Sequence, residues 1–246
     1  MKSSDPQHAS ARTMRTPETA KITPWPAPAG AAVLLFGGSF DPPHAAHSEI
    51  ARAVRDTLFG SEGWLVYVPA GRSPHKPTGP VASNAHRVAM LRLAIGDDTR
   101  SAVWTDEIDR AQSGSSAIAP SYWVDTLERA RRVIDQGARL RFLIGADQAI
   151  AFHRWHEHEK IIGLAEPAVV LREPLSNRES FRRMLLESGL DPAQWMPRII
   201  ETDLHRAAST DIRASLSRGR TPAGMLDPRL ISYIAKHGLY TDAPMP

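Results

Sequence analysis

The sequence predicts an α/β protein, a parallel sheet with helices on both faces and short helices at the C-terminus. Three observations carry this expectation. Apolar runs of strand length alternate with stretches of helical period, and parallel strands need crossover connections that cover both sheet faces. The 246 residues, 42% of them hydrophobic, suffice for one sizeable buried core. The first apolar run also breaks into two glycines, an aspartate and two prolines before a helical pattern begins. In such folds ligands bind where strands end in corners of this kind.

In chain order, AAVLLF at residues 31–36 reads as a buried strand. Residues 49–58 read as the helix after it, with Ile50, Val54 and Leu58 at four-residue spacing. WLVYVPA, residues 64–70, is a second strand closed by Pro69 and the loop GRSPHKPTG. Residues 84–95 form a helix with Val88, Leu91 and Ile95 on one stripe, and AVWTD, residues 102–106, a short third strand. A longer loop, residues 111–120, is expected to act as a lid. Residues 121–137 give a helix that stops at Gly137. LRFLIGAD (140–147) and PAVVLREP (167–174) are strands; a helix over 180–188, a strand near 198–202 and two short helices complete the chain. Residues 1–28 lack apolar periodicity and are expected to be a disordered tail. This leaves one domain over residues 29–242.

Composition narrows the function. The chain has no cysteine, which excludes disulfides, thiolate-held metals and a cysteine nucleophile and fits a reducing cytoplasm. A net charge of +3 suits anionic ligands, without the dense basic stripe of a nucleic-acid binder. No run approaches the roughly 20 apolar residues of a membrane span. The tail has no apolar core of a secretory signal; an arginine-bearing transit peptide is the weaker alternative.

The corner GGSFDPPHAAH has its own chemistry. Gly37 and Gly38 permit close approach of another group, and a phosphate suits that space. Asp41 is expected to cap the following helix, whose N-terminus offers unpaired N–H groups. His44 and His47, three apart, then share a face and can donate to charge developing on phosphate oxygens. A zinc or iron site on Asp41, His44 and His47 is the lesser alternative. HRWHEHEK, at residues 153–160, is richer in metal ligands but lacks the order that sets two histidines and a glutamate base on one helical face, and reads as a solvated polar helix anchored by Trp155.

With its histidine pair, GGSFDPPHAAH resembles the phosphate-binding corner of the HxGH-type nucleotidyltransferase superfamily. Further stretches are similar, in order, to the bacterial nicotinate-nucleotide adenylyltransferases: SPHK (73–76), HRVAMLRLAI from His86, PSYWVDTL from Pro120, FLIGAD through Trp155, STDIR (209–213) and the ending ISYIAKHGLY. The resemblance spans residues 33–240. It implies a Rossmann-like nucleotidyltransferase fold and adenylyl transfer from ATP to nicotinate mononucleotide, a step of NAD biosynthesis. It implies that His44, His47, Lys76 and Arg213 work on the phosphates. ATP would lie on Gly37, Gly38, Ser39, Phe40, His47, Gly145, Asp147, Ser209, Thr210 and Arg213. Nicotinate mononucleotide would lie on Ser39, Lys76, Ser121, Tyr122, Trp123 and Trp155. Trp123 replaces a threonine common in the family; main-chain donors survive that exchange, and the indole either stacks on the pyridine ring or packs in the core. The implied cofactor is Mg²⁺ carried by ATP, with no protein-held metal. The implied partners are the two substrates, with neither nucleic acid nor membrane, in a monomer or homodimer.

Rival readings are a sister enzyme acting on phosphopantetheine or nicotinamide mononucleotide, a nucleotide sensor without turnover, and a metal hydrolase built on the histidines.

Overall fold

The computed structural model describes residues 23–72, 79–113, 120–202, 208–222 and 224–241. Five strands, β1 (Ala32–Gly38), β2 (Gly63–Pro69), β3 (Ser101–Val103), β4 (Leu140–Gly145) and β5 (Glu166–Val170), form one sheet in the order β3-β2-β1-β4-β5. Every pairing is parallel, with Leu35 opposite both Val66 and Phe142. The expected fold class is the observed one. Between the strands run α1 (Ala45–Phe59), α2 (Asn84–Ile95), α3 (Asp106–Ser113), α4 (Trp123–Val133), α5 (Ala146–Ile150) and α6 (His158–Leu164). After β5 come α7 (Arg178–Glu187), α8 (Pro192–Trp195), α9 (Ser209–Ser217) and α10 (Pro228–Lys236).

The period of two in each strand divides the core. Val33, Leu35, Val66, Phe142, Ile144 and Val169 face one side, where Leu127, Ile161 and Phe181 of α4, α6 and α7 cover them. Leu34, Leu65, Tyr67, Leu143 and Ala168 face the other, under Val54 of α1 and Leu91 of α2. A smaller third cluster joins α2 to the C-terminal helices through Met90, Ile212, Leu230 and Ile234. Strand order reverses between β1 and β4, so the crevice beyond their carboxyl ends is the ligand position of this architecture.

Several local expectations shift. The first helix begins at Ala45 rather than residue 49. β3 stops at Val103 because Trp104 turns fully into the core, and α3, unanticipated by the sequence reading, begins at Asp106. Helix α4 starts at Trp123 and ends at Val133, four residues before the expected glycine stop. The strand near 198–202 is reduced to one bridge, Ile199 to Val169, with the Ile200 N–H on the Val169 carbonyl at 2.9 Å. HRWHEHEK is not one helix, since a short 3-10 turn ends at Arg154 and α6 starts at His158.

The expected tail over 1–28 is also corrected at its inner end; residues 1–22 lie outside the described residues. Trp25 meets Trp104 edge-on at 5.0 Å, and Trp104 Nε1 donates to the Thr23 carbonyl at 3.0 Å. Thr23 in turn donates its N–H to Asp106 at 3.1 Å and its hydroxyl to Asp109 at 2.6 Å. The sequence signal was the lone Trp25 among prolines, which has no periodicity but much area to bury. Deleting this strap uncovers Trp104 and orphans its indole N–H, at a cost of roughly 2–3 kcal/mol. A chain beginning at Gly30 is therefore expected to melt about 5–10 °C below one beginning at Thr23, read by thermal denaturation.

Candidate active site

The corner after β1 is a network of long-range ties. The Gly38 carbonyl accepts the Ala70 N–H at 2.8 Å, joining the ends of β1 and β2. Gly37 is required by a neighbour, since a Cβ there would lie 2.7 Å from the Trp123 ring. Phe40 adopts φ 48°, a left-handed conformation that costs a non-glycine residue energy. Its ring is held between Phe36, His47 and Tyr67, with centroids 5.2 to 5.7 Å away.

Asp41 does not cap α1. Its buried carboxylate accepts the N–H groups of Val81 at 2.7 Å and Ala82 at 3.0 Å and the Tyr240 hydroxyl at 2.8 Å. The N-cap is His44. Beneath the corner, fully buried Arg87 donates to the carbonyls of Ser39 and Ala70, each at 2.7 Å, and to Asn84 Oδ1 at 2.6 Å. Burial lowers its pKa, and the charges of Asp41, Tyr240 and Glu107 act the other way. Arg87→Met fills similar space but orphans three oxygens. We expect a loss of about 3–5 kcal/mol in chemical denaturation, with ATP affinity falling as Ser39 loses its anchor.

His44 and His47 come together as expected, with rings stacked at 3.7 Å and 27°. The His44 N–H donates to His47 Nδ1 at 3.3 Å. Because Nδ1 accepts, the proton of a neutral His47 sits on Nε2. His44 is buried with Nδ1 unpartnered, and burial, followed by the charge of Arg172, lowers its pKa to about 4. It is neutral at pH 7. Since the unfolded chain takes up that proton near pH 6.5, His44 favours folding above that pH, and its contribution is lost as pH falls toward 4.

Across the crevice β4 ends at Gly145, which precedes α5 as its N-cap. Asp147 does not cap α5; it pairs with Arg172, whose Nη2 reaches its two oxygens at 2.9 and 3.0 Å. A Cβ on Gly145 would lie 2.5 Å from Asp147 Oδ1 and 2.8 Å from Arg172 Nε. The expected nucleotide carboxylate thus already carries an exposed cation. The sequence reading missed Arg172, although its place just after β5 was a usable signal.

On the other flank, Tyr122 is the N-cap of α4 and stacks on His156 at 4.3 Å. Trp123 packs over Gly37 and 6.0 Å from Phe142, which places its indole against the sheet edge of the crevice. Its Nε1 is buried without a partner. The Tyr122 side chain makes no cap hydrogen bond to α4, and the first turn of any helix carries N–H groups without intrahelical partners. Ser121 exchanges two hydrogen bonds with Arg72: its N–H reaches the Arg72 carbonyl at 2.9 Å, and its hydroxyl accepts the Arg72 N–H at 3.3 Å. Trp155 is half-buried on Phe152 at 5.2 Å.

The STDIR stretch forms the start of α9 and meets the corner. The Ser209 hydroxyl donates to the Pro42 carbonyl at 3.0 Å. Arg213 donates to the Asp41 carbonyl at 2.7 Å and to the Thr210 hydroxyl at 3.4 Å. Lys76 and the centre of the expected lid, 114–119, lie outside the described residues.

The arrangement gathers the histidine pair, Arg172 and Arg213 about the carboxyl ends of β1 and β4. It suits a polyphosphate. The chain matches the family model described as cytidylyltransferase-like over residues 35–215. It is 35% identical over 233 residues to a probable nicotinate-nucleotide adenylyltransferase of Chromobacterium violaceum, covering 85% of this chain and 99% of that one. It is 37% identical over 218 residues to one of Laribacter hongkongensis, covering 85% and 94%. Its fold is similar to that of Plasmodium falciparum nicotinic acid mononucleotide adenylyltransferase complexed with NaAD. The TM-score is 0.62 at 17% identity, over 85% of this chain and 97% of that one.

Proposed function

Since the chain belongs to the cytidylyltransferase-like family, and within it to the nicotinate-nucleotide adenylyltransferases, we infer that it joins nicotinate mononucleotide to the adenylyl group of ATP, releasing pyrophosphate. The product is nicotinate adenine dinucleotide. One observation carries the mechanistic reading: the stacked His44–His47 pair sits at the N-terminus of α1, beyond β1 and beside the point where strand order reverses.

The acceptor's phosphate oxygen is already anionic, so the reaction needs neither a general base nor a covalent enzyme intermediate. That oxygen attacks the α-phosphorus of ATP in line, the bond to the β-phosphate oxygen breaks, and its electron pair leaves with pyrophosphate. What the protein supplies is alignment and neutralisation. His47 donates from Nε2 to a non-bridging α-phosphate oxygen. His44, kept neutral by burial, takes up a proton more readily as the polyphosphate arrives, because a nearby anion raises its pKa, and the imidazolium then donates to the phosphates.

Ser209, Thr210 and Arg213 cradle the outgoing phosphates from the start of α9, and to Lys76 we assign the neutralisation of charge on the transferring group. On ATP binding Asp147 exchanges Arg172 for a ribose hydroxyl, which uncovers Gly145, and the nucleotide meets Ser39 and Phe40; Gly37 and Gly38, expected to make room for a phosphate, instead make room for the rings of Trp123 and Phe40. Ser121, Tyr122, Trp123 and Trp155 line the pyridine side. Asp41, the carboxylate of the corner, is occupied by three donors, and among the described residues no group of three or more His, Asp or Glu converges on a metal position. The magnesium ion that the family implies would be held by the oxygens of the triphosphate and by water rather than by Asp41. No helix among the described residues is long and apolar enough to cross a membrane. We place the enzyme in the cytoplasm, acting on its two nucleotides as a monomer or homodimer without nucleic acid.

The test is pyrophosphate release from ATP and magnesium, with chromatography of the dinucleotide. Nicotinate mononucleotide is expected to support turnover and phosphopantetheine to support none. Turnover on phosphopantetheine alone would overturn the proposal.

A further inference from the structure

Glu107 is a buried carboxylate that neither the corner nor the nucleotide side uses. It lies in the first turn of α3, 4% exposed, and burial, which outweighs nearby Arg110 and two hydrogen bonds, pushes its carboxyl up to about 7. Oε1 accepts the Thr126 hydroxyl at 2.7 Å, and Oε2 accepts the Gly71 N–H at 3.4 Å. The two donors belong to different walls of the crevice. Gly71 opens the loop after β2 that leads to Lys76, whereas Thr126 lies one turn into α4, its N–H on the Tyr122 carbonyl at 3.4 Å.

Contact between these walls is close. A Cβ on Gly71 would come within 2.4 Å of the Glu107 carbonyl oxygen, so only glycine lets the loop lie on α3. Directly above, Arg72 and Ser121 exchange their two hydrogen bonds. Arg110 reinforces the underside by donating to the Thr126 hydroxyl at 2.9 Å and pairing with Asp106 at 3.1 Å. A side chain meant only to fill this space would be apolar, because a buried carboxylate is costly to desolvate.

We propose that Glu107 is a positioning residue for nicotinate mononucleotide: by holding Gly71 and Thr126 at once, it sets the gap between the Gly71–Arg72 turn after β2 and the Ser121–Tyr122–Trp123 turn. The inference rests on the functional reading above. It predicts a selective effect, since the ATP corner is tied by Arg87, Asp41 and Arg213 and makes no hydrogen bond to Glu107 in this structure.

The experiment compares the full chain with Glu107→Ala and Glu107→Gln. The alanine variant is expected to raise KM for nicotinate mononucleotide at least about tenfold, with KM for ATP within about twofold and kcat within about threefold. Glutamine keeps an acceptor oxygen for Gly71 and is expected to stay within about threefold of the parent. In the unliganded alanine variant, amide exchange should quicken at residues 70–72 and 121–123 and stay unchanged at 37–47. Parallel rises in both KM values, a glutamine variant as impaired as alanine, or unaltered exchange at 70–72 would each overturn the proposal. If the parent itself fails to use nicotinate mononucleotide, the functional reading falls, and the exchange measurement alone decides whether Glu107 holds the two walls.

Discussion

His47→Ala is expected to lower kcat by about two orders of magnitude or more while the dissociation constant of ATP changes less than about threefold. In the ground state the α-phosphate oxygens are already solvated; in the transition state their charge and geometry change, and a donor fixed in advance gains most there. The hydrogen bond from the His44 N–H fixes the tautomer of His47, and the rings of Phe40 and Phe36 at 5.2 and 5.7 Å fix its plane. A hundredfold loss corresponds to about 2.7 kcal/mol, the size expected for one preorganised donor. Since the ring also packs, melting of the variant and of His47→Gln must accompany the kinetics. A stable alanine variant with near-normal turnover would remove His47 from the chemistry.

Acceptor choice is the second large effect. Catalytic efficiency on nicotinate mononucleotide is expected to exceed that on the nicotinamide form by at least about a hundredfold. The argument is electrostatic: α4 starts beside Gly37 with no cap bond from the Tyr122 side chain, and the first-turn N–H groups and positive dipole end of a helix favour a carboxylate. A carboxamide turns its own NH₂ toward such donors. Leaving one buried polar group unmatched costs roughly 1–3 kcal/mol, and the lost charge assistance adds to it. Comparable efficiencies on the two mononucleotides would sink the assignment of the Tyr122–Trp123 turn and leave the phosphate chemistry intact.

The difference between a legible and an illegible residue here is the range of its partners. The opening motif already placed His44 beside His47, because three residues at a helix start bring two side chains together whatever surrounds them. Asp41 was equally conspicuous and was misread. Local rules make an aspartate before a helix a cap, yet its donors are Val81, Ala82 and Tyr240, the last 199 residues away. Arg213 is similar, since its place in STDIR marked it as a phosphate ligand but did not disclose its bond to the Asp41 carbonyl. For Trp123 the sequence allows both ring stacking and core packing; its indole lies on Gly37, which explains the glycine as much as the tryptophan.

By itself, the sequence determined the parallel α/β architecture, the glycine-ended strands and the histidine pair. Each depends on spacing along the chain, and the periods of 2 and 3.6 convert spacing into shared faces without knowledge of the rest. Only the tertiary structure decided that Trp25 roofs Trp104, that Arg172 covers Asp147, that Arg87 supports Ser39 and Ala70, and that Glu107 joins two walls of the crevice. These residues hold polar or aromatic groups whose burial must be matched by partners from distant segments, and that match exists only once the sheet has brought β1, β2 and β4 side by side.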